Sequence, residues 1–245
     1  MKYIIFLFVL CSTHCAIAQA VYTEKDYTIK RIWKGFRIVN KTSTPYDNYG
    51  LIDANKVFIL QPKYKKFTFF GEMINFLSFQ YEGKWGILGP DGKIISELKY
   101  SEMDFLTVPI IIVLNGKYGF IDENAKEIIP AQYDSAGYYT YTDFDKKDKA
   151  GMLARVKLNG KWGFINKMND VIIPFQYDGA RRFVLMLAPV MKEGLWGYID
   201  PTGALAIPYK YTRIGDFNED DEANVELNGK WIVIDRKGNR LRDAE

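Results

Sequence analysis

An aromatic residue followed by glycine recurs along this chain in register, and that recurrence limits the possible folds more than any other feature. Six positions align: Tyr49, Trp85, Tyr118, Trp162, Trp196 and Trp231. They stand 36, 33, 44, 34 and 35 residues apart, so one interval carries an insertion. Glycine follows in five copies, at Gly50, Gly86, Gly119, Gly163 and Gly197, whereas the sixth has Ile232. Three residues after the aromatic comes an aliphatic: Ile52, Leu88, Ile121, Ile165, Ile199 and Ile234. Fifteen residues after it comes a tyrosine in five copies: Tyr64, Tyr100, Tyr133, Tyr177 and Tyr211. A period of this length belongs to solenoids, propellers and arrays.

Each unit reads as three antiparallel strands. Arg155 to Leu158 alternates polar and apolar residues, the period of a strand. Asn159-Gly160 is a tight hairpin signal, because a type I′ turn needs positive φ at both central residues. The pair recurs at Asn115-Gly116 and Asn228-Gly229, with Glu82-Gly83 and Glu193-Gly194 as variants. Lys161 to Asn166 is the second strand and Val171 to Ile173 the third. Pro174 is expected to stop the third strand, because proline cannot donate to a ladder; Pro130 and Pro208 repeat the signal. On the second strand Trp162 and Phe164 point to one face, Gly163 and Ile165 to the other. Both faces are apolar, so neighbouring units must cover them, and the glycine is expected to leave room for a large side chain of the next unit.

These residues resemble the WG-repeat family of bacterial proteins. The shared pattern appears as Leu153-Ala154-Arg155-Val156, Lys161 to Asn166, and Ile173 to Asp178. It covers about residues 36 to 241 and weakens in the first and last copies. In the first copy Pro62 is displaced by one position; the last lacks the glycine and ends before the tyrosine slot. The resemblance implies repetition, with binding or scaffolding as the usual role, and brings no catalytic residues. Trp85-Gly86, Tyr118-Gly119, Trp162-Gly163, Trp196-Gly197 and Trp231 are therefore read as structural.

The expectation is an all-β chain of tandem three-stranded meander repeats, six units of about 35 residues, forming one domain over residues 21–245. Tyr27 to Val39 is strand material without a complete motif. It could supply the strand that the truncated last unit lacks, closing a propeller-like ring, which is the preferred arrangement. The alternative is an open solenoid with Tyr22 to Val39 and Arg236 to Glu245 as caps.

Met1 to Ala20 reads as a secretory signal. Lys2 supplies the positive start, Ile4 to Leu10 a short apolar core, and Ala16-Ile17-Ala18 or Ala18-Gln19-Ala20 a cleavage site. The apolar run is too short to span a bilayer. The chain is thus expected in the periplasm or outside a bacterial cell, with no transmembrane segment after cleavage. Cys11, Cys15 and His14 all leave with the signal. The remaining chain can form no disulfide, no zinc site built on Cys or His, and no Ser-His-Asp or Cys-His catalytic group. No cofactor or metal is expected. The formal net charge of +3 loses one unit with Lys2, which leaves no basic surplus of the kind nucleic-acid binding needs. Lys84, Lys117, Lys161 and Lys230 follow the hairpin turns and read as solvated edge charges.

The insertion, residues 137–150, carries Tyr138, Tyr139, Tyr141 and Phe144. Tyr139 matches Phe183 and Phe217 and reads as a repeat slot. Tyr138, Tyr141 and Phe144 have no repeat role and are the candidate ligand contacts, since tyrosine suits sugar or peptide surfaces. Asn218 to Glu222 is an acidic loop whose spacing matches no EF-hand; a solvated turn is the reading over a calcium site. The function expected is a non-catalytic binding or scaffold module for a protein or glycan. The alternative is a carbohydrate-active enzyme with paired carboxylates, for which Asp122, Asp200 and Asp235 are candidates. These three recur at one repeat slot, which favours turn chemistry.

Overall fold

The structure, a computed structural model, describes residues 22–43, 48–69, 74–142 and 151–244. The expected signal Met1–Ala20 and the candidate contact Phe144 lie outside the described residues. The described residues contain strands and turns and no helix. The strands form six four-stranded antiparallel sheets, each a meander in chain order. The first sheet holds β1 (Tyr27–Trp33), β2 (Phe36–Lys41), β3 (Tyr49–Ile52) and β4 (Phe58–Tyr64). The second holds β5 (Lys66–Thr68), β6 (Leu77–Tyr81), β7 (Lys84–Leu88) and β8 (Ile94–Tyr100). The third holds β9 (Glu102–Asp104), β10 (Ile110–Leu114), β11 (Lys117–Ile121) and β12 (Glu127–Tyr133). The fourth holds β13 (Ser135–Tyr141), β14 (Met152–Leu158), β15 (Lys161–Ile165) and β16 (Val171–Tyr177). The fifth holds β17 (Gly179–Ala180), β18 (Ala188–Lys192), β19 (Leu195–Ile199) and β20 (Leu205–Tyr211). The sixth holds β21 (Arg213–Ile214), β22 (Ala223–Leu227), β23 (Lys230–Ile234) and β24 (Arg240–Asp243). The chain divides into two compact units, one ending at Lys65 and one spanning Lys66–Glu245.

The sheets therefore have four strands, not the three expected from sequence. In the second to sixth sheets the added strand is the short stretch just after the preceding tyrosine slot, as in Gly179–Ala180 after Tyr177. At two or three residues in four of these sheets it is too short to show any period; in the fourth it is Ser135–Tyr141, seven residues that run into the stretch read as an insertion. Nor does the N-terminal segment complete the last sheet. Tyr27–Trp33 pairs with Phe36–Lys41, and Arg240–Asp243 pairs with Lys230–Ile234. The premise for closing a ring by strand exchange is thus removed, because the last sheet already has its own fourth strand; an open array with Tyr27–Trp33 and Arg240–Asp243 as terminal strands is compatible with this pairing.

The hairpins follow the sequence closely. Asn159 and Gly160 have φ of 51° and 81°, and Asn115-Gly116, Asn228-Gly229, Glu82-Gly83 and Glu193-Gly194 are likewise positive at both positions. The proline slot does not behave as expected. β16 runs through Pro174 to Tyr177. Trp162 pairs with Tyr177 and Phe164 with Ile173, so Gly163 of β15 alone faces Pro174, Phe175 and Gln176 of β16, which form a bulge. Proline is tolerated there because a bulge residue need not donate to the ladder. Gly163 lies against this bulge: a Cβ on it would meet the Ile173 carbonyl oxygen at 2.7 Å and the Phe175 nitrogen at 3.1 Å. The glycine thus admits the backbone of its own sheet, not a side chain of the next unit. Gly119 and Gly197 repeat the geometry. The second sheet has the same bulge with Glu97 in the proline slot, so proline is not its cause. The copy with Ile232 in the glycine slot pairs without that bulge: Ile232 with Asp243, Val233 with Arg242.

Burial follows the repeat slots. All six aliphatic residues from Ile52 to Ile234 are fully buried, and the five slot tyrosines nearly so. In the second unit, consecutive sheets share cores. Phe164, Ile173 and Tyr177 of the fourth sheet pack with Phe183, Val190 and Ile199 of the fifth. Val156 and Ile165, on the opposite face, pack with Phe120, Ile129 and Tyr133 of the third. Each such side chain contributes roughly 1.5–3 kcal/mol by burial. Aromatic pairs lock the seams: Phe120 with Tyr139, Phe164 with Phe183, and Tyr198 with Phe217, at centroid distances of 5.1, 5.0 and 4.9 Å. Tyr139 is therefore a repeat residue, as its spacing indicated. In the first unit Tyr27, Val39 and Ile52 form a separate core with Tyr22 and Phe58 against it.

Candidate functional site

Residues on and near the first strands of the third to sixth sheets line a cavity of about 620 Å³ in the second unit. One wall is basic. Arg155 stands on β14, and Arg181 and Arg182 follow β17. The other carries Glu102 and Asp104 on β9, with Tyr138 from β13 beside them. Ile111, Val113 and Ala136 add apolar surface. Residues from four consecutive sheets meet here, because Asp216, just after β21, also reaches the cavity.

Arg155 is half-buried. Its guanidinium donates to the Ala180 carbonyl and lies 5.1 Å from the centre of the Trp162 ring. Desolvation lowers its pKa, the charge of Arg181 lowers it further, and Asp216 partly offsets both. Space for it comes from Gly137, where a Cβ would meet the arginine Nε at 2.8 Å. Gly137 belongs to a bulge in β13, where Ala136 pairs with Val156 and Tyr139 with Ala154. Arg181 stands 4.0 Å from Asp216, and Arg182 is exposed with no ion-pair partner among the described residues. The WG aromatics bear cations elsewhere too: Arg181 over Trp196, Arg213 over Trp231 and Lys66 over Trp85. Trp85 is buried, Trp162 and Trp196 are half-buried, and Trp231 is 38% exposed.

On the acidic wall, Asp104 accepts the Tyr138 hydroxyl through one oxygen and the Leu106 N–H through the other, at 3.1 Å for the latter. Burial and then the bond to Asp104 push the Tyr138 phenol up to about 12. Glu102 is exposed and has no ion-pair partner among the described residues. Of the sequence candidates, then, Tyr138 lies in the cavity, while Tyr141 is exposed at the end of β13 and does not line it. Sequence reasoning missed the arginines and β9, because the contributing residues span Glu102 to Asp216 and no local pattern joins them.

The remaining polar residues mostly serve the fold. Asp122 Oδ1 accepts the N–H groups of Asn124 and Lys126; Asp200 and Asp235 do the same in their own turns. Asn218 repeats the arrangement with Asp220 and Glu222, and the acidic loop's Asp221 and Glu222 face Arg236 and Arg242. Among the described residues no group of three or more His, Cys, Asp or Glu side chains could hold a metal ion. Two hairpin lysines are paired instead of being simply solvated. Lys117 donates to Asp134 and Lys161 to Asp178. Each aspartate also accepts a hairpin N–H of the next sheet, from Gly160 and Glu193 respectively. No helix among the described residues is long and apolar enough to cross a membrane, which says nothing of a β-barrel.

A family model described as WG containing repeat matches residues 49–85, 118–162, 162–196 and 196–231, more than half of the chain. No curated protein matches it. Among solved structures, the surface component PorZ of the type-IX secretion system of Porphyromonas gingivalis is similar at 10% identity. That match covers 86% of this chain and 31% of PorZ, with a TM-score of 0.36. Hsv2p of Kluyveromyces lactis is similar at 10% identity, over 86% of this chain and 74% of that one, with a TM-score of 0.39. A eukaryotic initiation factor is similar at 14%, over 82% and 62%, with a TM-score of 0.44. The chain thus spans less than a third of PorZ, and scores this low say nothing of what it binds.

Proposed function

The chain belongs to the WG containing repeat family, and from that membership we propose that it is a non-catalytic binding module for a protein or glycan partner at the bacterial envelope. The observation that carries this reading is the cavity of about 620 Å³, in which cations and carboxylates from four consecutive sheets face solvent with incomplete pairing. Sites of this size with a few convergent polar groups are the usual form of small-ligand pockets. The repeats supply the frame: their buried slots serve stacking and their aspartates serve turns, which leaves the charges that line the cavity without a repeat role. Asp122, Asp200 and Asp235 each accept backbone N–H groups of their own turn, which speaks against a glycosidase built on them. Secretion remains the companion proposal, supported by the Met1–Ala20 leader pattern.

The test is a titration of the chain from residue 21 against a panel of bacterial and dietary polysaccharides. Tryptophan fluorescence reports binding, and a reducing-sugar assay on the same samples reports cleavage. Binding without sugar release, or cross-linking to an envelope protein where the panel is silent, is the expected result. Release of sugar overturns it. Cell fractionation with mass spectrometry of the N-terminus tests the leader; protein confined to the cytoplasm with Met1 intact would sink the secretion proposal.

A further inference from the structure

Opposite charges that share one cavity ordinarily collapse into ion pairs. Here they are kept apart. Among the described residues no ion pair joins Arg155, Arg181 or Arg182 to Glu102 or Asp104. Each group is instead held on its own side. Arg155 is fixed by the Ala180 carbonyl and the Trp162 ring, and Arg181 leans toward Asp216. Asp104 is fixed by Tyr138 and the Leu106 N–H. The basic wall has three guanidiniums against one carboxylate, Asp216. On the acidic wall, the described residues place no cation against Glu102.

We propose that the cavity receives a short peptide with both ends free, its carboxylate against Arg155, Arg181 and Arg182 and its ammonium against Glu102 and Asp104. This rests on the non-catalytic binding role given above and gives the cavity itself a peptide ligand in place of the glycan left open there. A ligand of one sign satisfies one wall and is repelled by the other; an acidic oligosaccharide meets Glu102 and Asp104, a polyamine meets the arginines. A neutral sugar leaves both walls unpaired. A zwitterionic chain answers both, and the planar guanidinium fork suits a carboxylate in two-point geometry. Ile111, Val113 and Ala136 offer apolar surface for small side chains. Gly137 is part of the device, since a Cβ there would displace the Arg155 side chain.

The experiment titrates the protein with trialanine in four forms: both ends free, N-acetylated, C-amidated, and blocked at both ends. Calorimetry is the main readout, with tryptophan fluorescence, to which Trp162 beside the Arg155 guanidinium contributes, as the second. The free form is expected to bind, and each single block to weaken it by about tenfold or more, the scale of one lost charge-assisted contact. Arg182→Gln should weaken the free peptide and narrow the difference between carboxylate and amide. Glu102→Gln should narrow the difference between amine and acetamide. Both residues are exposed, so neither change threatens the fold. Equal binding of the free and doubly blocked forms overturns the proposal, as does silence from all four at millimolar concentration. If that silence accompanies binding of a polysaccharide or an envelope protein, the peptide proposal falls and the binding role stands. Release of reducing sugar would remove the binding role itself.

Discussion

Gly160 and Gly163 lie three residues apart, yet alanine is expected to harm them for different reasons. Gly160 has φ of 81° and open space around it, so Gly160→Ala adds only backbone strain, about 1 kcal/mol. Gly163 has backbone atoms of the bulge where a Cβ would go, and those atoms cannot rotate aside. Gly163→Ala is expected to cost about 3 kcal/mol or more. Urea unfolding of both variants checks this, and equal losses would contradict the bulge explanation. Proline is the dispensable half of the motif. Glu97 already occupies the proline slot in a bulge of the same register and is exposed. Glu97→Pro should leave stability within about 1 kcal/mol of the parent, on the stabilising side. Periodicity alone located both slots in the sequence. What it could not show is that the glycine and the proline eleven residues later are two sides of one contact.

Between neighbouring sheets, the seams have two kinds of fastening. The aromatic one is deep: Phe183 is nearly fully buried against Phe164. Phe183→Ala leaves a cavity between the fourth and fifth sheets and should cost about 3–5 kcal/mol, measured by denaturant unfolding. The polar fastening lies at the hairpin rim. Asp134 and Asp178 are held below the ordinary carboxylate value of 3.8, first by the lysine they bond and next by the hairpin N–H of the following sheet. A depressed folded pKa adds stability above the unfolded value and loses it as pH falls through the folded one. The double variant Asp134→Asn, Asp178→Asn should therefore lose less stability than the parent as pH drops below 3.8. Thermal melts across that range check the prediction; parallel curves would reject it. The lysines were visible in sequence as a repeated position, but their partners stand seventeen residues on and could not be assigned.

Across the second unit, tyrosines are the main titratable groups in the seams. Burial raises the pKa of Tyr139 and Tyr198 well beyond the ordinary value and pushes Tyr177 up to about 12. The folded state thus keeps protons that the unfolded chain releases. Stability is whole below pH 10.0, the unfolded value, and falls as pH rises through the folded values. Unfolding free energy should decline steeply above that pH, and absorbance titration should show these phenols ionising together with loss of structure. Early, independent ionisation of all tyrosines would mean the seams are not closed as described.

Sequence by itself determined the repeat and its period, the type I′ hairpins, the apolar slots and the place of Tyr139, because each is written in residues close together along the chain. Only the tertiary structure decided the fourth strand of each sheet, the ownership of the first and last strands, and the cavity. A two-residue strand such as Gly179–Ala180 has no period to read. Its pairing depends on which edge lies beside it once sheets have stacked. The cavity gathers Glu102, Tyr138, Arg155, Arg181 and Asp216 from four successive sheets. Their proximity exists only because buried slots elsewhere fix those sheets against one another.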